Sequence, residues 1–484
     1  MPADIGFLIF IESRPFYMHA TDRDKGIAPK TFLSLLFSLA LPISLQFLLT
    51  SSMAVIDILM IGQLHDAAVA AVGIANQFVF IFFVIQFGVH SGIAIFTAQY
   101  WGKQDVARIH QLSGLGLLAG FAIGSVFAVA ALFFPATVIS AFSSDAEVVR
   151  LGAAYLRIVG FAFVPFCVTF SFMTNMRSMG FAGVPLVSSF IAVVVNIVLN
   201  YCLIFGNFGF PAMGVTGAAI GTCTAKLIEA GLLTAIIYLK PYPLAASVKT
   251  MLSFDFAFVK RITTTCWPVF LNEFFWVTGV SMYKLVYARM GTQSIAAVNI
   301  VATFEEFLFV PFFGIFHAGS ILIGNSIGAK RYNRAFAYGK FMLLVQLPMA
   351  LGAGVVLILC RPFILGFYNI STAAYDNAYY LILTTGLIFW TKTTNFTTVV
   401  SVFRGGGDTK FGFLMDLSAV WCIGVPMAFI GAFVFHWPVY GVMALIALEE
   451  MFKLIIGLPR FFSKKWIKNL VADPEKLPES LFKN

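Results

Sequence analysis

The sequence predicts an all-α integral membrane protein of about twelve transmembrane helices, arranged as two six-helix bundles. Three observations predict it. First, 60% of the 484 residues are hydrophobic and 11% are charged, whereas a soluble protein carries about 25% charged residues. Second, the apolar runs are continuous over the roughly 20 residues that cross a bilayer as a helix. They do not alternate at period 2, which excludes a β-barrel. Third, the two halves of the chain repeat one another. Pro42 matches Pro268, Ala70-Ala71-Val72 matches Ala296-Ala297-Val298, Gly88 matches Gly314 and Gly102 matches Gly328, each pair 226 residues apart. Arg177 matches Arg404, Pro211 matches Pro438 and Gly214-Val215 matches Gly441-Val442, each 227 apart. A constant offset over so much chain is not a chance coincidence of prolines and glycines.

The apolar segments, in order, are 31–62, 67–100, 112–135, 149–174, 181–206 and 214–239, then 258–289, 294–326, 336–360, 376–403, 410–434 and 439–461. Six crossings per half bring both halves to the same starting side, so the repeat is parallel. This divides the chain into a leader (1–30), a first bundle (31–240), a linker (241–257), a second bundle (258–462) and a tail (463–484). The leader holds an apolar patch, 5–11, too short to span and without the charged head of a secretory signal. Met18 is an alternative start.

Short loops sort by charge. One set carries Lys103, Arg108, Arg177, Lys240, Lys249, Lys260, Arg261, Lys330, Arg331, Arg334, Arg404 and Lys410; the alternate set carries only Arg150, Arg289 and Arg361. The first set is therefore cytoplasmic, as are both termini, in an inner (plasma) membrane. This bias accounts for the formal charge of +9 without nucleic acid. The six cysteines lie in apolar runs without metal-ligand spacing and read as small buried hydrophobes.

Ionisable groups inside spans are costly, about 2.5–3.5 kcal/mol on insertion scales, and so are candidates for function. Asp57 is the lone acid of the first span. Its bland reading is an acid near the helix end that reaches interfacial water. Asn196 and Asn200, four apart, share a helix face and either serve Asp57 or join helices by hydrogen bonds. Glu273 lies midway through its span, with Lys392 as candidate partner. Of the adjacent pair Glu305 and Glu306, pointing about 100° apart, Glu306 is favoured for a central position. Asn395 stands one turn from Lys392. Asp416 reads as the cap of a network with Arg404 and Asp408, and Glu449, Glu450 and Lys453 as an internal ion pair; both are structural readings. Pro42 and Pro268 are candidate hinges. Phe47, Met53, Phe274, Phe275 and Trp276 are candidates to meet planar organic cations through aromatic faces and pliable thioethers. There is no phosphate-binding loop, no H-E-x-x-H and no paired-aspartate metal signature, so neither ATP hydrolysis nor an intramembrane enzyme is indicated and no cofactor or metal is expected.

LALPISLQ (from Leu39), VIDILMIGQL (from Val55), MRSMGFAGVPL (from Met176), the long run from Asn196 to Thr222, PVFLNEFFWVTG (from Pro268), IGAKRY (from Ile327) and FRGGGDTKF (from Phe403) together resemble the multidrug and toxic compound extrusion (MATE) transporters. The resemblance covers nearly everything from Ser34 to Leu458 and is closest to a bacterial, DNA-damage-inducible branch, with mixed features. It implies a V-shaped central cleft between the bundles and export of drugs or toxins in exchange for H⁺ or Na⁺. Asp57 falls on the acid that couples many members. Where that branch often has a fifth-span acid, four residues after an asparagine, this chain has Asn200. Where another branch has acids in its seventh and tenth spans, Glu273 lies about one turn nearer the cytoplasm and the tenth span reads KTTN from Lys392 to Asn395.

These readings converge on a monomeric secondary transporter that expels amphipathic, cationic small molecules by alternating access among membrane lipids. With one carboxylate and neutral amides at Asp57, H⁺ is favoured over Na⁺, which prefers several hard oxygens. A lipid or lipid-linked precursor flippase of the same superfamily is the alternative.

Overall fold

The computed structural model describes residues 29–368 and 370–472. Residues 1–28 of the expected leader, with the 5–11 patch and Met18, lie outside the described residues, as does the tail beyond 472. Each predicted segment has a helical counterpart. In chain order these are α1 (Pro29–Ile61), α2 (Asp66–Lys103), α3 (Val106–Phe133), α4 (Ala146–Ser178), α5 (Gly183–Phe205) and α6 (Val215–Leu239). The second half supplies α7 (Phe256–Arg289), α8 (Thr292–Gly328), α9 (Tyr332–Leu359), α10 (Thr372–Phe396), α11 (Thr409–Val434) and α12, which is broken into Val439–Ile446 and Leu448–Phe462.

Among the described residues nine helices are long and apolar enough to cross a membrane. The other three are α7, α10 and α12, and they carry Glu273, Lys392 and the Glu449–Glu450–Lys453 group. Their polarity is paired inside the second half, as described below.

Helix ends follow local chemistry. The Asp145 carboxylate accepts from the Glu147 and Val148 amides at 2.8 and 3.2 Å and starts α4, and Asp105 caps α3 through the Arg108 amide. Each fills one or two of the donors a helix leaves open at its first turn. Three stretches, Thr397–Arg404 after α10 and Val420–Gly424 and Ile430–Val434 within α11, are wound as wider π-helical turns. Such turns displace side chains from the ordinary 3.6-residue register and recur at functional sites.

The chain divides into two compact units. The first contains Leu45–Thr263. The second contains residues 29–44 and Thr264 onward, so α1 contributes to both, and the division falls between Ser44 and Leu45, within one turn of Pro42. The first unit packs Phe82, Phe127 and Phe163 among α2, α3 and α4, with the Phe82 and Phe163 rings 4.6 Å apart. The second packs Phe309 and Phe389 at 4.9 Å. In the second unit the opening of α1 is seated by Phe32, which stacks on Phe341 and packs at a tilt against Tyr338, and by Ser44 Oγ, which donates to the Pro311 carbonyl at 3.1 Å.

That seat requires Gly314, since a methyl group there would overlap Ser44 Oγ and the Ala40 carbonyl. Gly314→Ala is expected to cost about 1–3 kcal/mol as overpacking, read as a lower unfolding temperature of the purified protein.

Two sequence readings are corrected here. Cys167, Cys202 and Cys223 are buried, Cys266 and Cys360 are half-buried, and Cys422, within the π-helical turn at Val420–Gly424, is exposed. Arg177 and Arg404, taken from the sequence as loop charges, lie at the ends of α4 and of the Thr397–Arg404 stretch and are drawn inward by polar partners.

Candidate ion-coupling sites

In the first unit Asp57 of α1 is partly buried and meets the two asparagines of α5. Asn200 Nδ2 donates to Asp57 Oδ1 at 2.6 Å, and also to Asn196 Oδ1 at 3.4 Å. Asn196 in turn donates to Thr222 Oγ1 of α6 at 3.4 Å. The i,i+4 spacing stacks both amides on one face of α5, and the chain's own fold brings that face to the acid. Both asparagines are fully buried. Asn200 Oδ1 is buried and has no hydrogen-bond donor. The pocket that admits Asn200 depends on Gly221 of α6, where a methyl group would overlap the amide oxygen. Gly221→Ala is therefore expected to displace Asn200 and loosen a hydrogen bond worth about 1.5–3 kcal/mol to a charged group. The check is export rate in cells at matched protein level, which should fall well below wild type.

A second polar network in this unit escaped the sequence reading. Gln46 of α1 accepts from the Arg177 guanidinium and donates to Ser189 Oγ at 2.7 Å; Ser189 donates to Glu229 at 2.6 Å; Lys226 pairs with Glu229 at 2.9 Å. The signal was present: Lys226 and Glu229 stand at i,i+3 inside an apolar segment. With Asp57 ionised, two acids (Asp57, Glu229) balance two bases (Lys226, Arg177).

The second unit holds the remaining candidates, with different partners from those expected. Glu273 does not meet Lys392. It pairs with Arg404 at 2.5 Å, while Lys392 pairs with Glu305 at 2.5 Å. Glu305, not Glu306, is therefore the acid of α8 turned to a partner, and Glu306 is exposed; their divergence by about 100° allows only one to face α10. The expected Arg404–Asp408–Asp416 network is not formed either. Asp408 is claimed by Arg460 at 2.7 Å and by Lys468 at 2.6 Å, and Asp416 lies 3.3 Å from Lys453 and accepts from Asn272 at 2.9 Å. Asn395 donates to Glu450 Oε2 at 2.6 Å. Lys453 does stand between Glu449 and Glu450, at 3.8 Å from each. Pro42 and Pro268 lie inside α1 and α7.

The internal repeat relates the two units at side-chain level. Gln46 corresponds to Asn272, Ser189 to Asp416, Lys226 to Lys453 and Arg177 to Arg404. The Gln46–Ser189 hydrogen bond of one unit is thus the Asn272–Asp416 hydrogen bond of the other. Beside Asp416 is a shallow hollow whose aromatic walls are Phe275, Trp276, Phe413 and Trp421. Of the aromatic candidates, Phe275 and Trp276 line it, Phe47 lies under the Arg177 guanidinium and Met53 is buried.

Known proteins bear on this arrangement. The chain is 25% identical over 451 residues to the uncharacterized transporter YisQ of Bacillus subtilis, covering 93% of this chain and 98% of that one. It is 23% identical to a probable multidrug resistance protein NorM of Thermotoga maritima, over 92% and 95% of the two chains. Its fold superposes on a crystal structure of MATE in the bent conformation with a TM-score of 0.82, at 16% identity, covering 91% of this chain and 99% of that one. A sequence model of the MatE family matches residues 42–202 and 268–430, one stretch in each half of the internal repeat, and the chain belongs to that family of multi-pass membrane transporters.

Proposed function

We propose that this transporter is a multidrug exporter driven by proton antiport through Asp57, expelling amphipathic organic cations across the plasma membrane by alternating access. The observation that carries the reading is the Asp57–Asn200 contact at 2.6 Å beside an Asn200 oxygen that has no donor. A carboxylate accepts from Nδ2 but gives nothing to Oδ1; a carboxylic acid can serve both. The site offers a single carboxylate among neutral amides, and Na⁺ prefers several hard oxygens. A proton neutralises it outright. Substrate would be drawn by aromatic walls of the kind seen at Phe275, Trp276 and Trp421.

The cycle supported by these residues is short. Facing outward, Asp57 takes a proton, α1 adjusts near Pro42, where the two compact units divide, and substrate leaves. Facing inward, the proton is released and substrate enters. Exchange of one H⁺ for one monovalent cation cancels the membrane-potential contribution of about 2.3 kcal/mol per 100 mV. Only the pH gradient then drives export, at about 1.4 kcal/mol per pH unit.

The test is uptake of a fluorescent organic cation into proteoliposomes with a pH gradient or a Na⁺ gradient imposed separately. Accumulation with the pH gradient alone is expected. Accumulation only with Na⁺, or movement of labelled lipid in place of the cation, would overturn the reading in favour of Na⁺ coupling or of a flippase.

A further inference from the structure

We infer that the second unit contains a proton-binding site of its own at Glu449 and Glu450 of α12, held between Tyr283 of α7, Asn395 of α10 and Lys453. The resemblance to known transporters assigns nothing to these positions.

The groups that face this cluster are Tyr283 and Tyr287 on α7, Glu305 on α8, Lys392 on α10, Asp416 on α11 and Lys453 on α12 itself. Asp416, Glu305, Glu449 and Glu450 make four carboxylates against the two ammonium groups of Lys392 and Lys453. Glu273 and Arg404 balance one another and add nothing. Lys392 is committed to Glu305 at 2.5 Å, and Lys453 lies nearest Asp416 at 3.3 Å. That leaves Glu449 and Glu450, at 6% and 8% exposure, sharing a lysine 3.8 Å away that already serves another acid. Four carboxylates, buried or half-buried, against two ammonium groups leave two negative charges uncompensated, which is too costly to keep. Protons remove the excess.

Two independent features of the site point to the same ligand. Asn395 is 3% exposed; its Nδ2 donates to the Glu450 carboxyl, yet its Oδ1 has no donor. A carboxylic acid or a hydrated proton supplies a donor there, and a carboxylate does not. This repeats the condition of Asn200 beside Asp57. The internal repeat then places the two sites in register. Tyr283 occupies the position of Asp57, 226 residues on, and Glu449 occupies that of Thr222, 227 residues on. The Tyr283 phenol donates to Glu449 Oε2. In the second unit the acid has thus moved from the first helix of the bundle to the last, across the same gap. Gly424, in the π-helical turn of α11, keeps that gap open, because a methyl group there would overlap both the phenol and the carboxyl oxygen. Exchange of these protons during transport rests on the antiport reading of Asp57, and would return a membrane-potential contribution to the driving force. The existence of the site does not depend on that reading.

Difference infrared spectroscopy of the purified full-length protein, between acid and alkaline Na⁺-free buffers, reads protonated carboxyl groups directly. Glu449→Gln and Glu450→Gln should each remove one component of the carboxylic-acid C=O band and leave the protein monodisperse, since glutamine mimics the neutral acid. Tyr283→Phe, which keeps both acids, should shift the Glu449 component. Asp57→Asn should remove a different component, so loss or survival of that one bears only on the antiport reading. Retention of the full band in the double Glu449→Gln, Glu450→Gln variant would overturn the site. So would an unshifted band in Tyr283→Phe, or a band removed by adding Na⁺ at constant pH.

Discussion

Asp57→Asn is expected to abolish uphill export, leaving cells that express it as drug-sensitive as cells without the transporter, while protein level and folding match wild type. The fold should survive because asparagine fills the same volume and still accepts from Asn200 Nδ2, the contact that now stands at 2.6 Å. The amide also relieves the desolvation of a charged group, so stability should hold or rise slightly. What disappears is the ability to alternate between a charged and a neutral state. Without it the inward and outward forms no longer differ in their affinity for the driving ion, and a ligand without differential affinity shifts no equilibrium. Downhill exchange of substrate between two sides at equal pH should persist, which separates loss of coupling from loss of binding. Export by the Asp57→Asn variant at the wild-type rate would remove Asp57 from the mechanism.

The largest effect on stability is expected at the Glu273–Arg404 pair. Both side chains are largely buried, at 14% and 8% exposure, with N and O 2.5 Å apart. Glu273→Gln leaves a guanidinium inside the second unit without its carboxylate. Breaking such a pair costs about 3–5 kcal/mol, mostly from the charge left behind. A marginally stable protein loses a large part of its folding free energy at that price. Expression of the single variant should drop sharply, with early unfolding in a detergent thermal-stability assay. The double variant Glu273→Gln, Arg404→Gln removes both charges and should recover most of the loss. Equal destabilisation in the double and single variants would show that Glu273 acts through something other than Arg404.

The fold was legible because its determinants are linear in sequence: length and continuity of apolar runs, the bias of lysine and arginine between loops, and a repeat with constant offset. The Asp57 cluster was legible for a related reason. A single acid in a span has few possible partners, and Asn196 and Asn200 declare a shared face by spacing alone. Pairing among many charges was not legible. Glu273 had Lys392 and Arg404 to choose from, and the choice depends on how α7 and α10 are rotated, which side-chain spacing does not reveal. Arg404 was also hidden by its place at the end of a segment, where it passed for a loop charge, although a π-helical stretch carries it to Glu273. The choice between Glu305 and its neighbour Glu306 turns on the same rotation. Gln46 and Ser189 are uncharged and give no charge signal in the sequence, although their repeat partners Asn272 and Asp416 are hydrogen-bonded in the same way.

Coupling between substrate and proton at Asp57 is tested most directly by proton flux in inside-out membrane vesicles. A pH gradient is established, a substrate cation is added, and the gradient is followed with a pH-sensitive dye. Wild-type vesicles should lose part of the gradient when substrate is added, in Na⁺-free buffer, and Asp57→Asn vesicles should not respond. Equal loss of the gradient in the variant, or a wild-type response that appears only with Na⁺, contradicts proton antiport through Asp57.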